Sequence, residues 1–163
     1  MKYLYSIFEK LIGKLSLKED KYLYDSSYEI DYEIYVGDEY IGMCNVEAIL
    51  KEDDFDDKTD EYVYDKNIKF DYTNPVKIED YENNRYIIYF SDFEIEEEFR
   101  GNGYGISSMK LIIESISKNF PNNDGIYLSV SKKNKIAIKI YESLGFIIVK
   151  DEDISTLEMK LKL

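Results

Sequence analysis

Residues 86–117 read YIIYFSDFEIEEEFRGNGYGISSMKLIIESIS, and this stretch decides the fold. Tyr86–Ile95 is dense in Tyr, Ile and Phe, the composition of a well-packed strand. Arg100-Gly101-Asn102-Gly103-Tyr104-Gly105 follows, and from Tyr104 to Ser117 the residues Ile106, Met109, Ile112, Ile113 and Ile116 recur at helical spacing. The order is strand, glycine turn, helix. Glycine lets the backbone turn tightly and approach a ligand with no Cβ in the way. The first N–H groups of the helix are left without helical partners and, with the helix dipole, form an anion site suited to a diphosphate.

Several phosphate ligands use such a turn. A Walker loop needs Gly-Lys-Ser/Thr, which is missing, and a dinucleotide fingerprint needs a glycine where Ile106 stands. The spacing present is Arg-x-x-Gly-x-Gly. Further on, after one predicted helix and one strand, comes Asn134-x-x-Ala137-x-x-x-Tyr141-Glu142-x-Leu144-Gly145-Phe146. Asn134 can cap a helix, Ala137 is small enough for a ligand to lie against that helix, Gly145 can end it, and Phe146 can seal the core beneath. In this order and at this distance the two segments resemble the signature of the GNAT N-acetyltransferase superfamily, over roughly Tyr86 to Leu163.

Outward from these motifs, Asn119–Gly125 with Pro121 ends the first helix, and Ile126–Ser131 is a short strand. A helix from Asn134 to about Ser143 and strands over Phe146–Lys150 and Leu157–Leu163 complete the second half. In the first half, Tyr28–Val36 alternates apolar and acidic residues, Gly37-Asp38 supplies a turn, and Tyr40–Leu50 returns as the partner of a β-hairpin. Tyr62–Tyr72 reads as a further strand, broken by Asn74-Pro75. Leu4, Ile7, Phe8, Leu11, Ile12 and Leu15 give Met1–Leu17 the spacing of an amphipathic helix, assigned to residues 1–20 as an element packing on its own sheet. The expectation is one domain over residues 1–163: a GNAT-like mixed, mainly antiparallel α/β sheet with a splayed central parallel pair and flanking helices.

Composition removes several chemistries. There is no histidine, so no imidazole base, no Ser–His or Cys–His pair and no histidine metal site. The lone cysteine, Cys44, lies in an apolar run and reads as a buried structural thiol in a reducing, cytoplasmic setting. No metal is expected. Lys51–Glu61 carries seven acids, but it lacks the glycine and glutamate that a calcium loop requires, and reads as a solvated acidic loop. A net charge of −13 argues against nucleic acid and favours cationic partners such as polyamines or lysine-rich peptides. No apolar run is long enough to span a bilayer, and no membrane partner is expected.

The resemblance implies acetyl-CoA as co-substrate, attacked directly by a primary amine in a ternary complex. Carried onto this chain, it puts the cofactor between Tyr86–Ile95 and Ile126–Ser131. Backbone groups of Phe93 and Ile95 would pair with pantetheine, and the N–H groups of Arg100, Gly101, Asn102, Gly103, Tyr104 and Gly105 would hold the pyrophosphate, with the Ser107 or Ser108 hydroxyl nearby. Asn134 and Ala137 would flank the pantetheine arm. Tyr141 matches the family's usual general acid, protonating the departing thiolate. Many family members carry a glutamate where this chain has Tyr89, so the base falls to Asp92 or Glu94, unranked. An alkylamine of pKa about 10.4 must shed a proton at a cost of about 4–5 kcal/mol near pH 7, so some base or water relay is required. The acceptor stays open among polyamines, aminoglycoside-like amines and protein lysines or N-termini, and a homodimer is compatible with the resemblance. The competing reading is an acidic GNAT-fold interaction protein with weak or no turnover, binding a basic partner.

Overall fold

The computed structural model describes residues 15–23, 27–50, 85–151 and 154–163. Within them, strands β1 (Leu15–Leu23), β2 (Ser27–Val36), β3 (Glu39–Leu50), β4 (Tyr86–Ile95), β5 (Asn123–Ser131), β6 (Ile147–Asp151) and β7 (Thr156–Leu161) form one sheet. Helix α1 (Tyr104–Asn119) joins β4 to β5, and α2 (Lys135–Ser143) joins β5 to β6. The strand order is β1-β2-β3-β4-β5-β7-β6, antiparallel throughout except for the parallel β4–β5 pair. This is the mixed sheet that the sequence predicts. The expected acidic loop at 51–61 and strand at 62–72 lie outside the described residues.

One expectation is corrected. The helix assigned to residues 1–20 does not include Leu15–Asp20, which belong to β1 and pair residue by residue with β2. Leu15 and Leu17 continue the helical spacing that precedes them, but they also alternate with Ser16 and Lys18. Pairing along the open edge of β2 satisfies a row of backbone groups, and that decides between the two periods. Residues 1–14 lie outside the described residues.

The β2–β3 hairpin turns at Gly37, whose φ of +63° is the left-handed conformation that glycine adopts at little cost. On one face of the sheet β2 buries Tyr28, Ile30, Tyr32 and Ile34, and β3 buries Cys44, Val46 and Ala48. Helix α1 covers that face with Met109, Ile112 and Ile116, and Phe120 just beyond it packs edge-on against Tyr86, centroids 5.1 Å apart. Beside α1, α2 sets Ile138 into the same core, with Phe146 following it. A part-buried polar network ties β1 to α1: Tyr32 Oη donates to Ser115 Oγ at 3.2 Å, and Ser115 Oγ donates to Glu19. The opposite face carries Glu29, Asp31, Glu33, Asn45 and Glu47, so the two faces divide apolar from acidic.

Candidate cofactor and acetyl-transfer site

Strand β4 changes phase midway. Its buried side chains are Tyr86, Ile88 and Phe90, then Ile95, with Phe93 packed on the same core. Val46 is registered with Phe90 and Asn45 with Asp92, leaving Ser91 as an extra residue. This is a β-bulge, and Ser91 Oγ donates to the Asn45 carbonyl at 3.2 Å. Pairing between β4 and β5 stops at the same place, at Phe90 and Leu128. Beyond it, β4 runs on to Ile95 beside β3 alone, and β5 runs to Ser131 beside β7 alone. The two parallel strands therefore part, as the resemblance implied.

The facing edge of β4 is backbone. Glu96 N–H donates to Ile41 O at 2.8 Å, which makes that pair a hydrogen-bonded rung of the β3–β4 ladder. Alternation then turns the N–H and C=O of Ile95 and Phe93 away from β3, towards the gap. The Ile95 carbonyl, however, is already engaged. Arg100 Nε donates to it at 2.7 Å, while a second guanidinium nitrogen pairs with Glu94 at 3.0 Å. The Arg100 N–H is also spent, on the Glu97 carbonyl at 3.2 Å in a single 3-10 turn. Of the backbone groups expected to face the cofactor, the Ile95 carbonyl thus already accepts one bond and the Arg100 N–H already donates one, within the loop itself. Arg100 shapes the loop, and Asn102 assists it through Nδ2 contacts to the Phe99 and Arg100 carbonyls at 3.4 and 3.3 Å.

Gly101 and Gly103 have φ of +80° and +81°, and Gly103 is the N-cap of α1. The first helical bond is Ser107 N–H to Gly103 O at 3.2 Å, so the N–H groups of Tyr104, Gly105 and Ile106 precede it. Gly105 lies between Phe93 of β4 and Ile140 of α2: a Cβ there would sit 3.9 and 4.0 Å from their side-chain carbons. The start of α1 is thereby placed over the parting strands.

Helix α2 begins at the corresponding end of β5. Asn134 Oδ1 accepts from Ala137 N–H at 3.1 Å, the cap expected from sequence. Tyr141, half-buried, packs against Phe146 with ring centroids 5.7 Å apart. Burial, with a smaller contribution from Cys44, holds its phenol above the usual range, so it keeps its proton at neutral pH. Cys44 is fully buried, and burial pushes its thiol well up, which suits the structural reading and not a nucleophile.

Asp92 and Glu94 are both exposed, on the side of β4 opposite Phe93 and Ile95. They are not equivalent. Glu94 is paired with Arg100, whereas Asp92 follows the bulge at the point where the strands part. Tyr89, on the same face, stacks on Tyr127 at 5.4 Å, with Lys160 Nζ lying 4.8 Å from the Tyr127 ring centroid. The bulge and the folding back of Arg100 are the features that the sequence reading missed. The signal for the bulge was present: apolar positions step by two from Tyr86 to Phe90, then by three to Phe93.

The residues fit an acyl-CoA. Ser108 Oγ is fully buried in the second turn of α1 without a hydrogen-bond partner, a polar atom left over by the protein itself. The gap offers β4 backbone groups, and the start of α1 offers N–H groups that precede its first helical bond.

Residues 82–154 match the FR47-like protein family. Among solved structures, the chain is similar to Arabidopsis thaliana NAA60 in complex with acetyl-CoA, with 16% identity, 82% of this chain and 76% of that chain covered, and a TM-score of 0.55. It is also similar to Arabidopsis thaliana Naa50 in complex with the bisubstrate analogue CoA-Ac-MVNAL, with 18% identity, 82% and 72% coverage, and a TM-score of 0.55. An acetyltransferase of the GNAT family from Streptococcus pneumoniae is similar at 15% identity, 83% and 67% coverage, and a TM-score of 0.54. No curated protein sequence matches the chain. The chain shares the fold of these solved acetyltransferase structures.

Proposed function

We propose that this protein transfers an acetyl group from acetyl-CoA to a primary amine on a cationic acceptor. The observation that carries the reading is the gap between β4 and β5, with the start of α1 set beside it at Phe93. Acetyl-CoA supplies the thioester carbon that the amine attacks. The chain's own residues do the rest. The N–H groups of Tyr104, Gly105 and Ile106 bind the pyrophosphate, and the unengaged backbone groups of Phe93 and the Ile95 N–H orient the pantetheine. Asn134 and Ala137 bound that arm. Tyr141 Oη, protonated at neutral pH, gives its proton to the departing thiolate, and Asp92 takes the proton that the ammonium must lose.

The acidic face supports a cationic acceptor. A cavity of about 450 Å³ is lined by Asp31, Glu33, Tyr35, Tyr40, Met43 and Asn45. Asn45 is the register partner of Asp92, so the cavity adjoins the candidate base. A lysine or N-terminal amine on a protein is the acceptor that fits an open sheet face, with polyamines and aminoglycoside-like amines as alternatives. The setting proposed is cytoplasmic. The competing reading, an interaction protein of low turnover, draws on Tyr89 standing where many relatives hold a glutamate.

Two measurements test the reading. Acetyl-CoA at saturation raises the melting temperature, and thiol release from acetyl-CoA accelerates with one class of amine in a panel of polyamines, aminoglycosides and basic peptides. No thermal shift overturns cofactor binding; a shift without thiol release favours the interaction protein.

A further inference from the structure

A register shift on the acidic face brings two phenols together. Between Ile34 and Tyr35 the β2–β3 ladder slips by one residue, so Tyr35 opposes Tyr40 where regular pairing would give it Ile41. The two rings meet edge to face, centroids 5.8 Å apart. Tyr35 Oη donates to Glu33 at 2.9 Å, which fixes its ring, and Lys18 pairs with the same carboxylate at 3.0 Å. Both tyrosines line the cavity of about 450 Å³, together with Asp31, Met43 and Asn45. An aromatic wall with a carboxylate beside it attracts a cation through the negative ring faces and the charge together.

One carboxylate of this cavity is left without a counter-charge. Lys18 serves Glu33 and Asp20, and Arg100 serves Glu94. Asp31 has no ion pair among the described residues; Asn45 Nδ2 donates to its Oδ1, which leaves Oδ2. Asp31, Asn45 and Asp92 lie in one register row on β2, β3 and β4, and Asp92 likewise has no ion pair among the described residues. Neighbouring strands run about 4.8 Å apart, so the two aspartates stand about 10 Å from one another across Asn45. The field here is negative. Burial first, then the charges of Glu96, Glu33 and Glu94, holds the Tyr40 phenol above its usual range.

Resting on the assignment of Asp92 as base, we propose that the Tyr35–Tyr40 cavity holds a second positive charge of the acceptor, the lysine ammonium of a basic peptide whose reacting amine stands at Asp92. Asp31 Oδ2 supplies the counter-charge, the two phenol rings wall the ammonium, and the lysine stem lies along Met43. One free oxygen suits the point charge of an ammonium. A guanidinium would take both prongs of the carboxylate, and Asn45 already occupies one. Tyr40 is 39% exposed, so a peptide can lie over the cavity with only its side chain inserted. An extended peptide rises about 3.3 Å per residue, so about 10 Å sets the lysine three residues beyond the reacting amine.

Two pentapeptides with free N-termini test this, Gly-Ser-Ser-Xaa-Ser-amide with trimethyllysine or norleucine as the fourth residue. Trimethylation keeps the charge and leaves the α-amine as the group that can react. In calorimetry with coenzyme A present, where no acetyl group can move, the charged peptide is expected to bind about tenfold more tightly, the scale of one cation held on aromatic rings beside a carboxylate. With acetyl-CoA, KM should differ by the same factor and kcat by less than about twofold. Asp31→Asn and Tyr40→Leu, neither at a buried position, should each shrink the ratio between the two peptides to about twofold or less. Tighter binding of the charged peptide without thiol release keeps the cavity assignment and overturns acetyl transfer. Thiol release with equal KM for the two peptides does the reverse. Equal binding overturns the cavity assignment whether or not thiol is released. So does a preference that survives both substitutions, or a linear triamine that binds more tightly than the charged peptide.

Discussion

Arg100 reaches back to the strand it follows: its Nε lies 2.7 Å from the carbonyl oxygen of Ile95, the last residue of β4. The same guanidinium holds Glu94 at 3.0 Å, so one planar group fixes both the end of the strand and the start of the glycine loop. Removing it leaves the Ile95 carbonyl unpartnered, a loss of about 1–3 kcal/mol in the order of the loop. Arg100→Ala is expected to weaken acetyl-CoA binding about tenfold, measured by calorimetry. Arg100→Lys should recover little, because a single ammonium cannot reproduce the two-pronged contact.

Tyr141→Phe tests the proton donor. Loss of the hydroxyl should lower kcat by about 10²-fold, with KM for acetyl-CoA little changed, since general acid catalysis is commonly worth 10²–10⁴. The pH profile supplies a second check. A general acid works while protonated, and burial raises the Tyr141 phenol above its ordinary value of 10.0. The alkaline limb of kcat should therefore lie at higher pH than an ordinary phenol would place it.

Much of this arrangement was legible in the sequence because it depends on local chemistry. Glycines at 101 and 103 announce positive φ, Asn134 announces a cap, and the run from Ile106 to Ile116 announces a helix face. What escaped depends on partners distant in the chain. Leu15–Asp20 carries both a helical and an alternating pattern, and only the unpaired edge of β2 decides for the strand. The folding back of Arg100 onto Ile95 needs the three-dimensional turn between them. Asp92 and Glu94 looked equivalent because alternation puts them on one face, and only the ion pair to Arg100 separates them.

That separation gives a paired prediction. Asp92→Asn should lower kcat/KM about 10²-fold with the amine acceptor, the scale of a lost general base. Glu94→Gln removes an exposed ion pair worth about 0–1 kcal/mol and should change kcat less than about threefold. Equal effects from the two substitutions would remove Asp92 from its proposed role.

The glycine at 42 should be the least replaceable position on β3. A Cβ there would lie 2.2 Å from the Glu94 carbonyl oxygen, a backbone atom that can move only if β4 shifts beside the site. Gly42→Ala is expected to destabilise the fold by about 2 kcal/mol or more, read by urea unfolding. It should also weaken acetyl-CoA binding, because Glu94 joins Phe93 to Ile95.

On the acidic face, Glu29 and Glu47 are direct cross-strand partners. Burial first, then the charge of Glu29, raises the Glu47 carboxyl above its ordinary value near 4.5, with Ser27 partly opposing. A raised carboxyl pKa means that the folded state resists ionising Glu47. The penalty is full above the folded value and is relieved as pH falls from there towards 4.5. Glu47→Gln removes it while keeping a group able to hydrogen-bond Ser27. The variant should melt about 1–2 °C higher at pH 7, the shift that ~0.5 kcal/mol from one like-charged cross-strand pair produces in a domain of this size. Near pH 4 the gain should vanish, since wild-type Glu47 is then protonated as well. Differential scanning calorimetry at the two pH values checks this, and an equal gain at both would show that packing, rather than charge, governs the position.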